Sequence, residues 1–395
     1  MSSQKGLPTS AGGPTGFGPT PFRFYDNRQK YLAFVNTCNE KAAIARRAAR
    51  ELRLLRPTPP ALRVFDAGMG DATVLARLMR STHFVYPTVP LLVVAKEISL
   101  EDVRLGLEKM PDRFYEHPAT VLVITNLNYA DAPQLRPREQ TDAAALNWQK
   151  IALAGTSADE YAAQIEELGP TLAEGWQTRP SLQSGNPVYV RPSVLVLHRA
   201  DHEFLLDGVI PQARQVLPGY DLVLASQPWR ARMPAQFKAR KVLAPLARSL
   251  VPGGRLLAIQ SYGHDPGLEI IHRLWPGEDP FKVARRELLA ALAAELGESA
   301  VDYDLSIPED QASLFRYEMH TLPSEIGDRI GTSTLFAAWN AAIYVNQIED
   351  ERLDAAVQSN AYLAATQAVL QKYSGLWFND ETFVVSRKPR SESSR

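Results

Sequence analysis

Cysteine, long apolar runs and excess charge are all scarce in this sequence of 395 residues. Its one cysteine, Cys38, excludes an internal disulfide framework and fits a reducing compartment, so we expect a cytoplasmic protein. No apolar run approaches the ~20 residues that a membrane helix requires. The N-terminus also lacks the apolar core of a secretory signal, and we therefore expect no membrane partner.

Metal and nucleophile motifs are also missing. No histidine pairs with another His, Cys or acid at the spacing of a zinc-binding helix, and neither a G-x-S-x-G elbow nor a P-loop is present. His198 and His202 are four residues apart, but on a strand-to-loop stretch rather than a helix. We therefore expect no metal site.

The net charge of −1 gives the molecule no overall nucleic-acid signature. The charge is nevertheless uneven: residues 21–63 carry ten Lys or Arg against three acids, and residues 222–264 carry seven and no acid. Residues 138–176 reverse the balance, with seven acids against two basic residues. A small acceptor molecule is therefore the expected partner, with nucleic acid as the less favoured one.

Composition and periodicity divide the chain into segments. Gly, Pro, Ser and Thr dominate the N-terminus and predict a disordered leader, whereas the polar, Pro-containing run after the third strand indicates an insertion that is helical from Ala143 to Leu168. The expected segments are a leader (1–20), a helical N-terminal extension (21–58, with one helix over 25–55), an α/β domain (59–388) with an insertion (133–192) and a helical lid-like segment (324–374), and a disordered tail (389–395).

Short apolar stretches alternate with helical patterns through the α/β domain. "ALRVFDAG", "LLVVAKE", "ATVLVITNLNYADA", "PSVLVLHRAD", "YDLVLAS" and "GGRLLAIQSYG" are expected strands. Such alternation predicts an open, mostly parallel twisted sheet with helices on both faces. Ligands of these sheets lie beyond the carboxyl ends of the strands, so the residues there are the candidates for function.

Two acids close the first two strands. Asp66 ends the first strand in "VFDAGMGDA", and Gly68 and Gly70 follow it, which leaves the backbone open to a ligand. The acid suits a positively charged group, and the spacing differs from the G-x-G-x-x-G of a dinucleotide site. Glu97 ends the second strand in "VVAKE", where a carboxylate can accept both hydroxyls of a ribose.

These stretches, together with "YDLVLASQPW" and "LAPLARSLVPGGRLLAIQS", resemble the class I S-adenosylmethionine-dependent methyltransferases over residues 60–262. The closing "ETFVVSR" is similar to the last, antiparallel strand of that family. The resemblance implies a Rossmann-like methyltransferase fold and S-adenosyl-L-methionine as the cofactor. One departure is Ala72, where many members have a third glycine; alanine is small enough to keep the loop.

The resemblance also implies roles for individual residues. Asp66 would bear on the methionine ammonium, Gly68 and Gly70 would admit the cofactor, and Glu97 would hold the ribose. An acid near the end of the third strand would meet the adenine. Both Asp131 and Asp201 fit that role, and the spacing before the fourth strand favours Asp201.

The stretch "SQPW" lies where amino-group methyltransferases carry a substrate motif. Ser226 and the backbone carbonyl before Pro228 can accept hydrogen bonds from an amino group, and Trp229 can stack on a planar acceptor. Ser226 and Trp229 are therefore the expected catalytic residues, with Pro228 and Tyr25 as substrate contacts. The alternative is a proline-ended strand whose tryptophan only packs.

We therefore expect a methyltransferase that acts on nitrogen or oxygen of a small, planar acceptor. One alternative is a nucleic-acid amino-group methyltransferase, which requires the two basic stretches to form one surface beside Trp229. A second is an aminopropyltransferase-like protein, although such proteins usually carry an acid at the position of Ser226. A third is a non-catalytic protein that binds the cofactor.

Overall fold

The computed structural model describes residues 27–180, 187–321, 323–327 and 330–389. The expected leader (1–20), the candidate substrate contact Tyr25, and residues 390–395 of the expected tail lie outside this described part.

A ten-stranded mixed sheet forms the centre of the fold, in the order β10-β12-β9-β8-β1-β2-β3-β7-β4, with β11 also paired to β12. A separate hairpin consists of β5 and β6. The strands are β1 Leu62–Asp66, β2 Leu91–Lys96, β3 Thr120–Thr125, β4 Asn147–Leu153, β5 Thr178–Pro180, β6 Pro187–Tyr189, β7 Ser193–Arg199, β8 Tyr220–Ser226, β9 Leu250–Ser261, β10 Tyr303–Asp304, β11 Leu314–Glu318 and β12 Trp377–Arg387.

Helices cover both faces of the sheet and one end of it. They are α1 Arg28–Thr37, α2 Glu40–Leu52, α3 Thr73–Val85, α4 Leu100–Leu107, α5 Pro111–Glu116, α6 Gln140–Ala144, α7 Ala158–Glu166, α8 Gly169–Gly175, α9 Ala235–Lys238, α10 Ala244–Arg248, α11 Pro266–Leu274, α12 Arg285–Leu296, α13 Asp310–Ser313, α14 Thr332–Val345, α15 Asp350–Gln358 and α16 Ala361–Tyr373. A π-helical turn, Ala239–Leu243, joins α9 to α10.

The five central strands, β9, β8, β1, β2 and β3, are parallel to one another. Their continuous apolar runs are explained by burial on both faces: Phe65 and Val94 pack into one core, and Val64 and Val93 into the other. The open, mostly parallel sheet is therefore confirmed. Strand β12 runs antiparallel to β9, as the resemblance predicted for "ETFVVSR".

The insertion departs from the prediction. Residues 147–153, expected within a helical stretch, form β4 at the outer edge of the sheet. Strand β4 is parallel to β7, and the two are joined by a crossover through α7 and α8. Strand β7 then runs antiparallel to β3. Most residues of β4 are partly exposed, so its sequence reads as a polar segment rather than as a strand. Its pairing with β7 is what makes it a strand.

The N-terminal extension contains two helices rather than the single helix expected over 25–55. Helix α1 ends before Cys38, which is extended and forms a β-bridge with Met319. Asn39 then exchanges hydrogen bonds with Glu318: its backbone N–H donates to the Glu318 carbonyl at 2.9 Å, and its side-chain oxygen accepts from the Glu318 N–H at 2.8 Å. This docking onto β11 breaks the helix and fixes where α1 lies.

A further hydrophobic cluster lies at the end of the sheet, where α1, α11, α14 and α16 pack around Phe34, Trp339 and Phe378. Through this packing, α1 and α14 lie over the carboxyl ends of the central strands. No helix in the described ranges is long and apolar enough to cross a membrane.

Candidate functional site

A cavity of about 600 Å³ opens beyond the carboxyl ends of β1, β2 and β8. The sheet order changes direction between β1 and β8, which is where open α/β sheets bind their ligands. Of the predicted site residues, Gly68, Gly70, Glu97, Ser226, Pro228 and Trp229 line this cavity. The structure therefore brings together residues that are more than 150 positions apart in the sequence.

Asp66, the last residue of β1, is buried just beneath the cavity loop. Its carboxylate accepts a hydrogen bond from the Gly68 N–H at 3.2 Å. Burial raises the pKa of Asp66 to about 7, and the nearby Glu97 carboxylate adds to the rise, while the Gly68 N–H and Lys41 oppose it. A bound cation would restore the charged form, because an opposite charge favours ionisation.

Gly68 and Gly70 serve this loop in different ways. A Cβ added to Gly68 would meet no atom within 4 Å, so the space beside this residue is open for a ligand. Gly70 has φ +53°, and a Cβ there would lie 2.8 Å from the Tyr31 hydroxyl oxygen. Gly70 is therefore required by the fold itself, whereas Gly68 keeps the cavity open.

The loop turns into α3 through Asp71 and Ala72. The Asp71 carboxylate accepts hydrogen bonds from the Thr73 N–H at 3.2 Å and the Thr73 hydroxyl at 2.6 Å. Ala72 is left-handed, with φ 58°, and is fully buried. A Cβ on Gly106 would lie 3.1 Å from the Ala72 Cβ, so a glycine in α4 makes room for alanine at this position.

Glu97 connects the second strand to this loop. One carboxylate oxygen accepts from the Gly70 N–H at 2.7 Å, and the other accepts from the N–H groups of Ile98 and Ser99 at 2.6 and 2.8 Å. Three backbone donors therefore hold the carboxylate at the cavity wall. Carboxylate oxygens have further lone pairs, so this arrangement still allows hydroxyl donors of a ligand to bind.

Neither adenine candidate is among the described residues that line the cavity. Asp131 is buried in the loop after β3, where the Asn128 amide donates to it at 2.8 Å. Asp201 follows β7, which is antiparallel to β3. It therefore lies at the amino-terminal ends of the parallel strands, whereas the cavity lies at their carboxyl ends. There it pairs with Arg199 and His202. The preference for Asp201 rested on sequence spacing, which does not reveal strand direction.

The histidine spacing noted in the sequence forms no metal site. His198 is fully buried within β7, and His202 bonds to Asp201. Among the described residues, no group of three or more His, Cys, Asp or Glu side chains could hold a metal ion.

The "SQPW" stretch ends β8 at the cavity. Ser226 is partly exposed there, and the Pro228 carbonyl accepts a hydrogen bond from the Tyr129 hydroxyl at 3.1 Å. Trp229 is only 6% exposed, and its indole N–H donates to the Gln260 side chain at 3.0 Å. Most of Trp229 therefore packs in the core, with an edge at the cavity.

Sequence reasoning did not single out Tyr31, Lys41, Lys96 and Tyr129 as site residues, although all four line the cavity. The Lys96 ammonium lies 4.9 Å from the centre of the Tyr129 ring, and burial lowers the pKa of Lys96. The sequence could have identified Lys96 as a site residue, because it ends a buried strand directly before Glu97. Tyr31 and Lys41 reach the cavity only through the docking of α1 and α2, which no local pattern shows.

No family model matches the chain, and no curated protein matches it in sequence. Several solved structures are similar to it. They include YjhP from E. coli (13% identity over 92% of this chain and 99% of that chain, TM-score 0.35), the cyclopropane synthase MmaA2 from Mycobacterium tuberculosis (11%, 91% and 93%, 0.32) and a geranyl diphosphate methyltransferase in complex with GPP and sinefungin (12%, 87% and 77%, 0.32). Because these identities and TM-scores are low, the fold assignment rests on the strand order and register of this chain itself.

Proposed function

We propose that this chain is an S-adenosylmethionine-dependent methyltransferase that transfers a methyl group to nitrogen or oxygen of a small, planar acceptor. One observation carries the proposal: a single cavity joins the Asp66 loop, the Glu97 carboxylate and Ser226 at the carboxyl ends of neighbouring parallel strands. These groups match a cation, a ribose and an acceptor amino or hydroxyl group, respectively.

The residues present fit the cofactor. Asp66 has a buried carboxylate at the loop, which suits an ammonium group, and the open space beside Gly68 admits a ligand against the backbone. Glu97 is held by backbone N–H groups with its oxygens at the cavity wall. When bound, the cofactor supplies an activated methyl group on a sulfonium.

The remaining task of the protein is to align the acceptor and to exclude water, because methyl transfer is a direct displacement. In this proposal, Ser226 Oγ and the Gln227 carbonyl at the end of β8 accept hydrogen bonds from the amino or hydroxyl group of the acceptor. The unusual backbone of Gln227, with φ 50°, is held by its side chain, which donates to Ser261 at 3.1 Å and to Asp380 at 3.2 Å. This network fixes the direction of the carbonyl before Pro228.

The shape of the cavity favours a small planar molecule over a nucleic acid. Its volume of about 600 Å³ is within the range of small-molecule pockets, and aromatic rings of Tyr129, Trp229 and Tyr344 line it. The basic run after Trp229 is partly used internally: Lys238 is buried and donates to the Ala231 carbonyl, and Arg232 pairs with Glu278. These contacts reduce the free basic surface that a nucleic acid requires.

Isothermal titration calorimetry with S-adenosylmethionine and S-adenosylhomocysteine tests the proposal. We expect both to bind, and Gly68→Val, whose side chain would occupy the open space, to bind neither. If the wild-type chain binds neither ligand, the proposed function is wrong. Methyl transfer to nucleic acid with an affinity that falls steeply with salt would instead favour the alternative acceptor.

A further inference from the structure

Lys41 brings a positive charge to the cavity from outside the sheet. It is the second residue of α2, and its ammonium lies 5.1 Å from the centre of the Tyr31 ring. Tyr31 in turn touches the cofactor loop, where its hydroxyl lies 3.5 Å from the Asp71 backbone nitrogen. Both residues line the cavity beside Gly68 and Gly70. The N-terminal helices therefore place one ammonium at the loop that follows β1.

The protein only partly satisfies this ammonium. Its nearest carboxylate oxygen belongs to Glu40, at 3.9 Å, at the limit of an ion pair. Within the described residues, no group accepts a hydrogen bond from Lys41 Nζ. Lys41 lines the cavity beside the loop that follows Asp66, and its charge helps to lower the pKa of Asp71 and opposes the rise in the pKa of Asp66. Its three donors thus remain available to a ligand in the cavity.

The chemistry of the cofactor calls for such a group. The amino-acid end of S-adenosylmethionine carries an ammonium and a carboxylate on the same carbon, so a site for one lies next to a site for the other. Asp66 suits the ammonium, and a cation near Asp66 is needed for the carboxylate. Arg28, Arg104 and Arg230 are further cations at the cavity, and Arg28 is paired with Glu101. Lys96 lies over Tyr129, in the strand that leads to Glu97.

We propose that Lys41 binds the cofactor carboxylate and that this contact makes the cavity select the intact amino acid over the decarboxylated ligand. The inference rests on the proposed function, since it assumes that an adenosyl sulfonium binds here. It assigns the N-terminal extension a part in ligand selection. It also separates this chain from proteins that use decarboxylated S-adenosylmethionine.

The test compares two ligands that differ only in the carboxylate. Dissociation constants for S-adenosylmethionine and decarboxylated S-adenosylmethionine are measured by calorimetry with the wild-type chain and Lys41→Gln. We expect the wild type to bind the intact ligand roughly 10- to 100-fold more tightly, the range of a charge-assisted hydrogen bond. In Lys41→Gln this ratio should fall to within about threefold of one.

The ratio is a better readout than either affinity alone. Lys41 lowers the pKa of Asp66, so its removal favours the protonated form of Asp66 and weakens binding of both ammonium-bearing ligands. That shared loss cancels in the ratio. Lys41→Arg, which keeps the charge, should restore part of the selectivity.

Two matched variants complete the design. Lys30→Gln removes a lysine of α1 that pairs with Asp350 and lies outside the cavity lining, and it should keep the wild-type ratio. If Lys41→Gln keeps the wild-type selectivity, the assignment to Lys41 is overturned, and loss of the selectivity in Lys96→Gln would then assign the role to Lys96. A wild-type ratio near one also overturns it. If the wild-type chain binds neither ligand, the proposed function itself fails.

Discussion

The Tyr31 hydroxyl oxygen lies 2.8 Å from the place that a Cβ on Gly70 would occupy. This contact joins the N-terminal extension directly to the loop that follows the first strand of the sheet. It requires glycine at position 70 for two reasons, since φ there is also +53°. The extension is therefore part of the candidate site rather than a separate appendage.

Gly68 and Gly70 should respond differently to substitution. Gly68→Val should leave the free energy of unfolding within about 0.5 kcal/mol of wild type, because nothing lies within 4 Å of its Cβ, yet should abolish cofactor binding. Gly70→Ala should cost about 2 kcal/mol, because alanine at positive φ is strained and meets Tyr31. Urea unfolding and calorimetry measure both effects. Normal cofactor binding by Gly68→Val would show that the loop is misassigned.

Binding of the cationic cofactor should weaken as the pH falls through 7. Burial raises the pKa of Asp66 to about 7, so its carboxylate is progressively protonated below that pH and loses its attraction for an ammonium. Between pH 7.5 and 6 the affinity should drop by roughly an order of magnitude, as expected for one protonation near pH 7. Calorimetry across this range measures the drop.

Asp66→Asn is the control for this pH dependence. Its affinity should be low at every pH and nearly flat between pH 7.5 and 6. An equally steep dependence in Asp66→Asn would assign the titration to a different group.

Trp229 should combine a packing role with a role at the acceptor. Trp229→Ala should lower the free energy of unfolding by about 3–5 kcal/mol, the usual cost of truncating a buried tryptophan, and should reduce turnover more than cofactor affinity. Trp229→Phe loses the hydrogen bond to Gln260 but keeps most of the side-chain volume. It should therefore be less destabilised than Trp229→Ala. Equal losses of turnover and affinity in Trp229→Phe would make Trp229 a packing residue only.

The contact between the buried His117 and the partly buried His83 should contribute to the pH dependence of stability. His117 lies against the Val89 carbonyl at 2.9 Å and against His83 at 3.0 Å between Nδ1 atoms. Burial lowers the pKa of His117, and His83 lowers it further, so the unfolded chain binds more protons below about pH 6.5. The contribution of His117 to stability should therefore be lost as the pH falls below that value, whereas the raised pKa of Asp66 favours the folded state over the same range.

Urea unfolding at pH 7.5 and pH 5.5 tests this expectation. Between pH 7.5 and pH 5.5, the change in the free energy of unfolding should favour the folded state more in His117→Leu than in wild type, whereas His320→Gln, at an exposed position, should match wild type. The same change in His117→Leu and wild type would exclude the pair as a source of pH dependence.

Strand direction marks the limit of the sequence argument. The acids at the ends of β1 and β2 were placed correctly at one edge because an apolar run followed by a helix predicts a parallel strand. Asp201 follows an equally apolar strand, but β7 enters from the insertion and is antiparallel to β3. Burial on both faces looks alike in either direction, so the pattern in β7 carried no information on its orientation.

The linear order of residues was sufficient for the parallel centre of the sheet, the glycine loop and the acids at two strand ends, since each depends on local periodicity and on near neighbours. Folding alone decided that a cation of the N-terminal extension reaches the cavity. Lys41 and Tyr31 arrive there because the break at Cys38 docks on β11 and α1 packs against α14, contacts between segments almost 300 residues apart. Such long-range packing depends on the shapes of both segments, and the local sequence of one segment does not show where the other will lie.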